Sequence, residues 1–341
     1  MSKILVTGGM GYIGSHTVVE LVNAGYDPVI VDDLSNSDPK ILEQLTKIIG
    51  FKPAFHKVDL CDEHAVKKLA TAEPDIKGII HFAAFKAVGE SVRLPLKYYR
   101  NNFFSMLNLL DAYKDYPVNF VFSSSCTVYG QPDVLPVTEN APVKAAESPY
   151  GNTKQIAEEM LKDMIAAGSN YKVISLRYFN PVGAHDSALI GELPIGVPQN
   201  LVPFITQTAI GKREKITVFG NDYNTVDGSC VRDYIHVVDL AKAHVAALKL
   251  MEKDSYKGYD VFNIGTGEGT SVLQVIHAFE SATGVKLNYQ IGSRRSGDVE
   301  QVWGDVTKSA NKLHWRAELG ISEMMLSAWE WEKYIFENPL Q

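Results

Sequence analysis

Cysteine is scarce in this chain of 341 residues: Cys61, Cys126 and Cys230 are the only three, far apart and outside any C-x-x-C pair. A disulfide framework and a clustered zinc site are therefore not expected, and a reducing compartment fits. Basic residues are outnumbered, with 33 Lys and Arg against 40 Asp and Glu and a formal net charge of −7. A general nucleic-acid binder needs a basic face, so nucleic acid is not an expected partner. No run approaches the ~18 apolar residues of a membrane span. Ile4-Leu5-Val6 is too short for the apolar region of a signal sequence and leads directly into a glycine turn. None of the nine histidines sits in H-E-x-x-H or a comparable ligand pattern, so no metal is predicted. The expectation is a cytoplasmic protein that engages neither membrane nor nucleic acid.

What is present suits an ordinary globular fold, with 45% apolar and 21% charged residues. The length allows one large core, or one large and one smaller. Ile4–Thr7 reads as a buried strand, followed by Gly8-Gly9-Met10-Gly11-Tyr12-Ile13-Gly14 and an amphipathic helix to about Ala24. Glycines at 8, 11 and 14 allow a tight turn and close backbone approach, with a helix N-terminus facing a pyrophosphate. A bare strand–helix turn would need the same glycines. Pro28–Val31 is a second strand, and Asp32 at its end lies where a carboxylate would bind an adenosine ribose. A carboxylate there repels a 2′-phosphate, which favours NAD over NADP.

Further strands are predicted at Ala54–Val58, Gly78–Ala84 and Asn119–Ser123, with a helix at Pro95–Tyr113 carrying Asn101. This alternation predicts a doubly wound parallel sheet with ligands at the carboxyl ends of the strands. Gly8, Asp32, Asp59, Ala83 and Ser123 cluster at those ends. Asp59-Leu60 is a candidate adenine contact.

Two stretches carry chemistry. Ser123-Ser124-Ser125-Cys126-Thr127 places hydroxyls just past the fifth strand. Ser123 and Ser124 suit mere capping, and Ser125 suits contact with a substrate hydroxyl. No partner histidine is indicated for Cys126, so a catalytic thiol is not expected. In Ser148-Pro149-Tyr150-Gly151-Asn152-Thr153-Lys154, Tyr150 and Lys154 stand four apart at a helix start. One turn puts them on the same face. A phenol with a pKa near ~10 is a poor base at neutral pH. A neighbouring cation favours the phenolate.

The glycine turn, the acid after the second strand, the serine run and Tyr-x-x-x-Lys together resemble the extended short-chain dehydrogenase/reductase superfamily. Val6–His16, Lys86–Ser91, Arg177–Ala184 and Val231–Val237 narrow the resemblance to the UDP-glucose (UDP-galactose) 4-epimerase family, over essentially the whole chain. The resemblance implies interconversion of UDP-galactose and UDP-glucose on tightly bound NAD. Tyr150 takes the proton of the sugar 4-hydroxyl while the carbon-4 hydride passes to NAD⁺. Ser125 bridges the hydroxyl and Tyr150, and Lys154 holds the nicotinamide ribose. The 4-keto sugar turns over, and the hydride returns to its opposite face.

The resemblance also assigns cofactor contacts to the turn (Gly8, Gly11, Tyr12, Ile13, Gly14) and to Asp32, Asn36, Asp59 and Leu60. Phe82, Ala83, Lys86, Asn101, Ser123 and Phe179 complete that set, with Tyr150 and Lys154. UDP-sugar contacts fall to Lys86, Ser125, Tyr150, Asn180, Asn200, Arg232, Arg295 and Asp298, with Phe219 beside uracil. Two arginines suit a diphosphate because guanidinium presents a fork. Asn200 also reads as a simple helix N-cap, and Arg295 beside Arg294 as a solvated pair. In the family a bulky tyrosine at the position of Val302 goes with unacetylated sugars. Val302 therefore predicts some activity on UDP-GlcNAc and UDP-GalNAc. The family also implies a homodimer through Pro95–Tyr113 and Tyr150–Ala167.

Residues 1–180 are expected to form the NAD-binding domain, completed by segments near 236–265, and 181–341 mainly the substrate domain, interleaved with it. Trp329 and Trp331 in the closing helix, Ile321–Phe336, read as packing residues. Two alternatives stand. Another NAD-dependent nucleotide-sugar enzyme, a dehydratase or decarboxylase, shares the fold. The dehydratases carry an Asp-Glu pair after the threonine of the serine run, where this chain has Val128-Tyr129. A non-catalytic dinucleotide sensor would keep the glycine turn but lose the tyrosine–lysine pair.

Overall fold

The computed structural model describes residues 1–295 and 299–340. Its first half alternates strand and helix: β1 (Lys3–Thr7), α1 (Tyr12–Asn23), β2 (Asp27–Asp32), α2 (Lys40–Ile49), β3 (Ala54–Lys57), α3 (Glu63–Ala72), β4 (Ile76–His81), α4 (Val88–Arg93), α5 (Pro95–Ala112), β5 (Asn119–Ser125), α6 (Pro149–Ala166) and β6 (Lys172–Tyr178). The second half has shorter strands: β7 (Asn180–Val182), α7 (Leu201–Ala209), β8 (Ile216–Phe219), β9 (Val231–Arg232), β10 (Tyr234–His236), α8 (Val237–Met251), β11 (Tyr259–Ile264), β12 (Thr270–Ser271), α9 (Val272–Thr283), β13 (Tyr289–Gly292), β14 (Gln301–Val302) and α10 (Ile321–Glu337).

Seven strands form one parallel sheet in the order β11-β6-β5-β4-β1-β2-β3. Apolar side chains alternate between its faces, as a sheet covered on both sides requires. Ile4, Val6 and Ile30 enter one cluster with residues of α1, α2 and α8. Leu5, Val29 and Val31 enter the other with α3, α5 and α6. Strand order reverses between β1 and β4, and in such sheets that crevice receives ligands.

Two strands end two residues or more away from where the sequence pattern places their ends. β5 continues through the serine run to Ser125, because Ser123, Ser124 and Ser125 keep pairing with Leu176, Arg177 and Tyr178 of β6. The serines are thus the end of the strand rather than a segment beyond it. β4 stops at His81 instead of Ala84, since its neighbour β1 ends at Thr7 and turns away at Gly8.

The later segments return to the sheet. β11 pairs along β6 from Tyr259 to Ile264. The smaller part has its own core, in which Ile205, Phe279 and Met325 of α7, α9 and α10 meet. Trp329 packs edge-on against Phe279, and Trp331 stacks on Tyr334. Among the described residues no helix is long and apolar enough to cross a membrane.

Candidate active site

The glycine turn wraps tightly at the end of β1. Gly8 takes φ +67°, and a Cβ there would meet the Ala83 amide nitrogen at 3.0 Å. At Gly14 a Cβ would lie 2.2 Å from the Gly8 carbonyl oxygen, so the helix comes too close for any side chain. Gly11 stands at the N-cap of α1 and offers no side-chain cap, which leaves amides of the first turn available to a ligand. At the end of β2 the Asp32 carboxylate accepts from the amides of Met10 (3.1 Å) and Leu34 (2.9 Å) and from Ser37 Oγ (2.8 Å). Burial raises the Asp32 pKa, and these three donors oppose the rise. An uncapped helix start, a glycine cradle and a neighbouring carboxylate fit a dinucleotide. Asn36 and Asp59 are exposed nearby, and Leu60 is buried. The half-buried Phe82 has its ring 4.6 Å from that of His244.

α6 starts where Ser148 caps it and Pro149 occupies its first turn. The Gly151 amide donates to Ser148 Oγ at 3.1 Å. This start brings Tyr150 and Lys154 onto the sheet beside Ser123 and Ser125. Burial pushes the Tyr150 phenol well up and Tyr178 adds to this, while the Ser125 hydroxyl favours the phenolate. Lys154 Nζ donates to the Ser123 carbonyl at 2.6 Å and lies 5.9 Å from the Tyr150 ring centre. Burial brings its pKa down to about 7, and Glu158 one turn on pulls the other way. Cys126 is half-buried, and desolvation pushes its thiol up to about 12, the opposite of nucleophile activation.

Behind this pair lies a polar network that the sequence did not announce. Tyr178 and the Ser123 hydroxyl hydrogen-bond one another. Glu158 accepts from Ser124 Oγ (2.6 Å) and from Arg177 Nε (2.9 Å) and Nη2 (2.6 Å). Arg177 stacks on Tyr129, whose hydroxyl donates to Asn263 Oδ1 at 2.6 Å. These bonds tie α6, β5, β6 and β11 together. The signals were that Arg177 and Tyr178 belong to a motif stretch and that Ser123 and Ser124 belong to the serine run.

The substrate-side residues fall into small groups. Arg295 lies with its guanidinium carbon 5.6 Å from the Phe219 ring centre. Arg232 pairs in register with Val302, and its Nη1 donates to the Val231 carbonyl at 2.8 Å. Val302 is buried against Val128, Tyr129 and Phe179. Asn180 begins β7, its amide bonded to the Asp233 carbonyl at 3.0 Å. Asn200 stands at the N-cap position of α7, but its side chain does not cap the helix. It donates instead to Glu192 Oε1 at 2.6 Å, so the simple N-cap reading fails. Lys86 reaches the same oxygen at 3.7 Å. Asn101 Nδ2 donates to Asn102 Oδ1 at 3.0 Å. Asp298 lies outside the described residues. Sequence reasoning also missed Asp233, which accepts from the amides of Thr266 (2.8 Å), Gly267 (3.1 Å) and Gly304 (3.3 Å). It thereby fixes the backbone beside Arg232.

A parallel sheet with a glycine-cradled crevice and Tyr-x-x-x-Lys against its fifth strand defines an extended short-chain dehydrogenase/reductase. The profile of the family described as GDP-mannose 4,6 dehydratase matches residues 5–327. UDP-glucose 4-epimerase of Haemophilus influenzae is 49% identical over 337 residues, 98% of each chain. The crystal structure of UDP-glucose 4-epimerase from Stenotrophomonas maltophila, with bound NAD and formylated UDP-arabinopyranose, superposes with a TM-score of 0.95. It is 45% identical and covers 99% of this chain and 100% of its own. The UDP-Glc/GlcNAc 4-epimerase of Campylobacter jejuni gives a TM-score of 0.84 at 37% identity, covering 98% of this chain and 100% of its own. Within the broad family of that profile, the chain belongs to the UDP-glucose 4-epimerases.

Proposed function

We propose that this chain interconverts UDP-galactose and UDP-glucose with NAD as a retained cofactor. The observation that carries the reading is the meeting of Tyr150, Ser125 and Lys154 at the carboxyl ends of β5 and β6, beside the glycine cradle. The uncapped start of α1 would hold the pyrophosphate and Asp32 the adenosine ribose. Bound there, NAD would supply a reversible hydride acceptor for sugar carbon 4.

The chain's own residues manage the proton. Tyr150 takes it from the sugar 4-hydroxyl and gives it back. Ser125 bridges that hydroxyl and the phenol. Lys154 would hold the nicotinamide ribose and, with the positive charge of the bound ring, would lower the Tyr150 pKa. Arg232, Arg295 and Asn200 bind the diphosphate, Phe219 flanks the uracil, and Asn180 and Lys86 contact the sugar. The absence of acids after Thr127 speaks against 4,6-dehydration. Supplying UDP-galactose and detecting UDP-glucose with a UDP-glucose dehydrogenase tests the reading. Dehydrogenase signal is expected, and its absence from a folded sample contradicts it.

Val302 favours a second substrate pair, UDP-GlcNAc and UDP-GalNAc, because it occupies less space than an aromatic beside Phe179. Exposed Leu96, Phe104 and Leu107 along α5 support a homodimer through α5 and α6. Three free cysteines support a reducing, cytoplasmic setting. β11 and α8, returning to the large sheet, support a cofactor domain of residues 1–180 completed by 236–265, interleaved with a substrate domain.

A further inference from the structure

Glu192 sits in the Gly- and Pro-rich loop between β7 and α7, a stretch without regular secondary structure. Its carboxylate has little exposure and stands next to residues assigned to an anionic substrate. A carboxylate there opposes a diphosphate electrostatically and costs free energy to bury. Both costs need an offsetting purpose. The surrounding structure delivers it deliberately. The loop closes on itself through the Ala184–Gly191 bridge and the His185 amide on the Ile190 carbonyl at 3.1 Å. Trp331 Nε1 of α10 then donates to the Glu192 carbonyl at 2.8 Å. Gly191 lets that indole approach, because a Cβ there would lie 2.4 Å from Trp331 Cγ.

The delivered carboxylate meets two predicted contacts from opposite halves of the chain. Lys86, between β4 and α4, approaches Oε1 at 3.7 Å, and Asn200, at the start of α7, donates to the same oxygen at 2.6 Å. We infer that Glu192 is the positioning residue that sets Lys86 and Asn200 against each other across the cleft, joining the sugar-side contact to the diphosphate-side contact. This rests on the reading of the cleft as a UDP-sugar site. In this role Glu192 acts through the ammonium and the amide that it holds.

The test separates charge from hydrogen bonding. Glu192→Gln keeps an acceptor for Asn200 and removes the charge facing Lys86, whereas Glu192→Asp keeps the charge. Binding of UDP-glucose is measured by calorimetry in a Tyr150→Phe background, which stops turnover. Glu192→Gln and Lys86→Met should each weaken binding by about 5–20-fold, and together by no more than the larger single loss, because they break one interaction. Glu192→Asp should recover much of the affinity. In the protein with Tyr150 intact, Glu192→Gln should raise KM about tenfold with kcat changed less than about twofold. Additive losses, or a fall in thermal stability and kcat with KM unmoved, would overturn the inference. UDP-glucose failing to bind even with Glu192 and Lys86 intact would overturn the substrate reading and this inference with it.

Discussion

Lys154 directs its ammonium to the carbonyl of Ser123, 2.6 Å away, and not to the phenol of Tyr150. This contact seats the lysine under the end of β5, with its Nζ also 4.8 Å from the Phe122 ring centre. The protein's own backbone thus holds the lysine in place. Burial raises the pKa of the phenol beside it, and the Ser125 hydroxyl opposes the rise.

Replacing Tyr150 with Phe removes the proton acceptor and little volume. Turnover should fall by about 10²–10⁴-fold, the usual contribution of a positioned acid–base group. NAD released on heat denaturation should remain equimolar with protein. Retained turnover would break the mechanism.

Lys154→Met should move the acid limb of the kcat–pH profile upward by about one unit or more, because a cation near the phenolate is lost. The pH at which kcat is half-maximal, compared between the two proteins, reads this directly. An unmoved limb would mean that Lys154 only holds the ribose.

Stability should collapse on the acid side for a reason visible in the core. His16 and His81 are held to about 3, and His236 and His244 to about 4, by burial. Their folded pKa values lie below the unfolded value near ~6.5, so below that pH the unfolded chain binds protons that the folded chain refuses. The neutral-pH stability is fully present above about 6.5 and is lost as pH falls toward 4. Calorimetric unfolding temperatures should drop steeply over that interval. A His81→Asn variant, which keeps a polar partner for Thr7, should flatten the drop if it folds.

The Arg177–Glu158 pair should matter more for integrity than for chemistry. Its charges are almost completely buried. Glu158→Gln leaves an unpaired guanidinium and should destabilise by about 3–5 kcal/mol, measured by denaturant unfolding. Arg177→Met together with Glu158→Leu should recover much of that loss.

Much of the cofactor half was legible because its signals are local. Glycine spacing, an apolar run ending in Asp32 and a tyrosine and lysine one turn apart each report on neighbouring backbone. The substrate half was less legible. Glu192 lies in a loop with no periodicity, and its partners Lys86 and Asn200 become neighbours only through the tertiary path. Glu158 and Arg177 meet because α6 lies over β6, and no spacing rule links them. The Ser125 end of β5 escaped the apolar pattern because backbone pairing with β6 holds a polar strand in place.

Val302→Tyr should shift selectivity. Val302 packs with Phe179 and Val128, so tyrosine must either turn into the cleft or overpack the cluster, at about 1–3 kcal/mol. The ratio of kcat/KM for UDP-GlcNAc to that for UDP-galactose should fall at least about tenfold. An unchanged ratio would remove Val302 from the account of specificity.

The most direct test of the central claim needs purified protein and no added cofactor. UDP-galactose is incubated with it and the anomeric signals are followed by proton NMR. The account predicts conversion to a mixture of UDP-galactose and UDP-glucose, which requires both the epimerase chemistry and a retained NAD. Unchanged UDP-galactose in a folded sample, persisting after NAD is added, would contradict it.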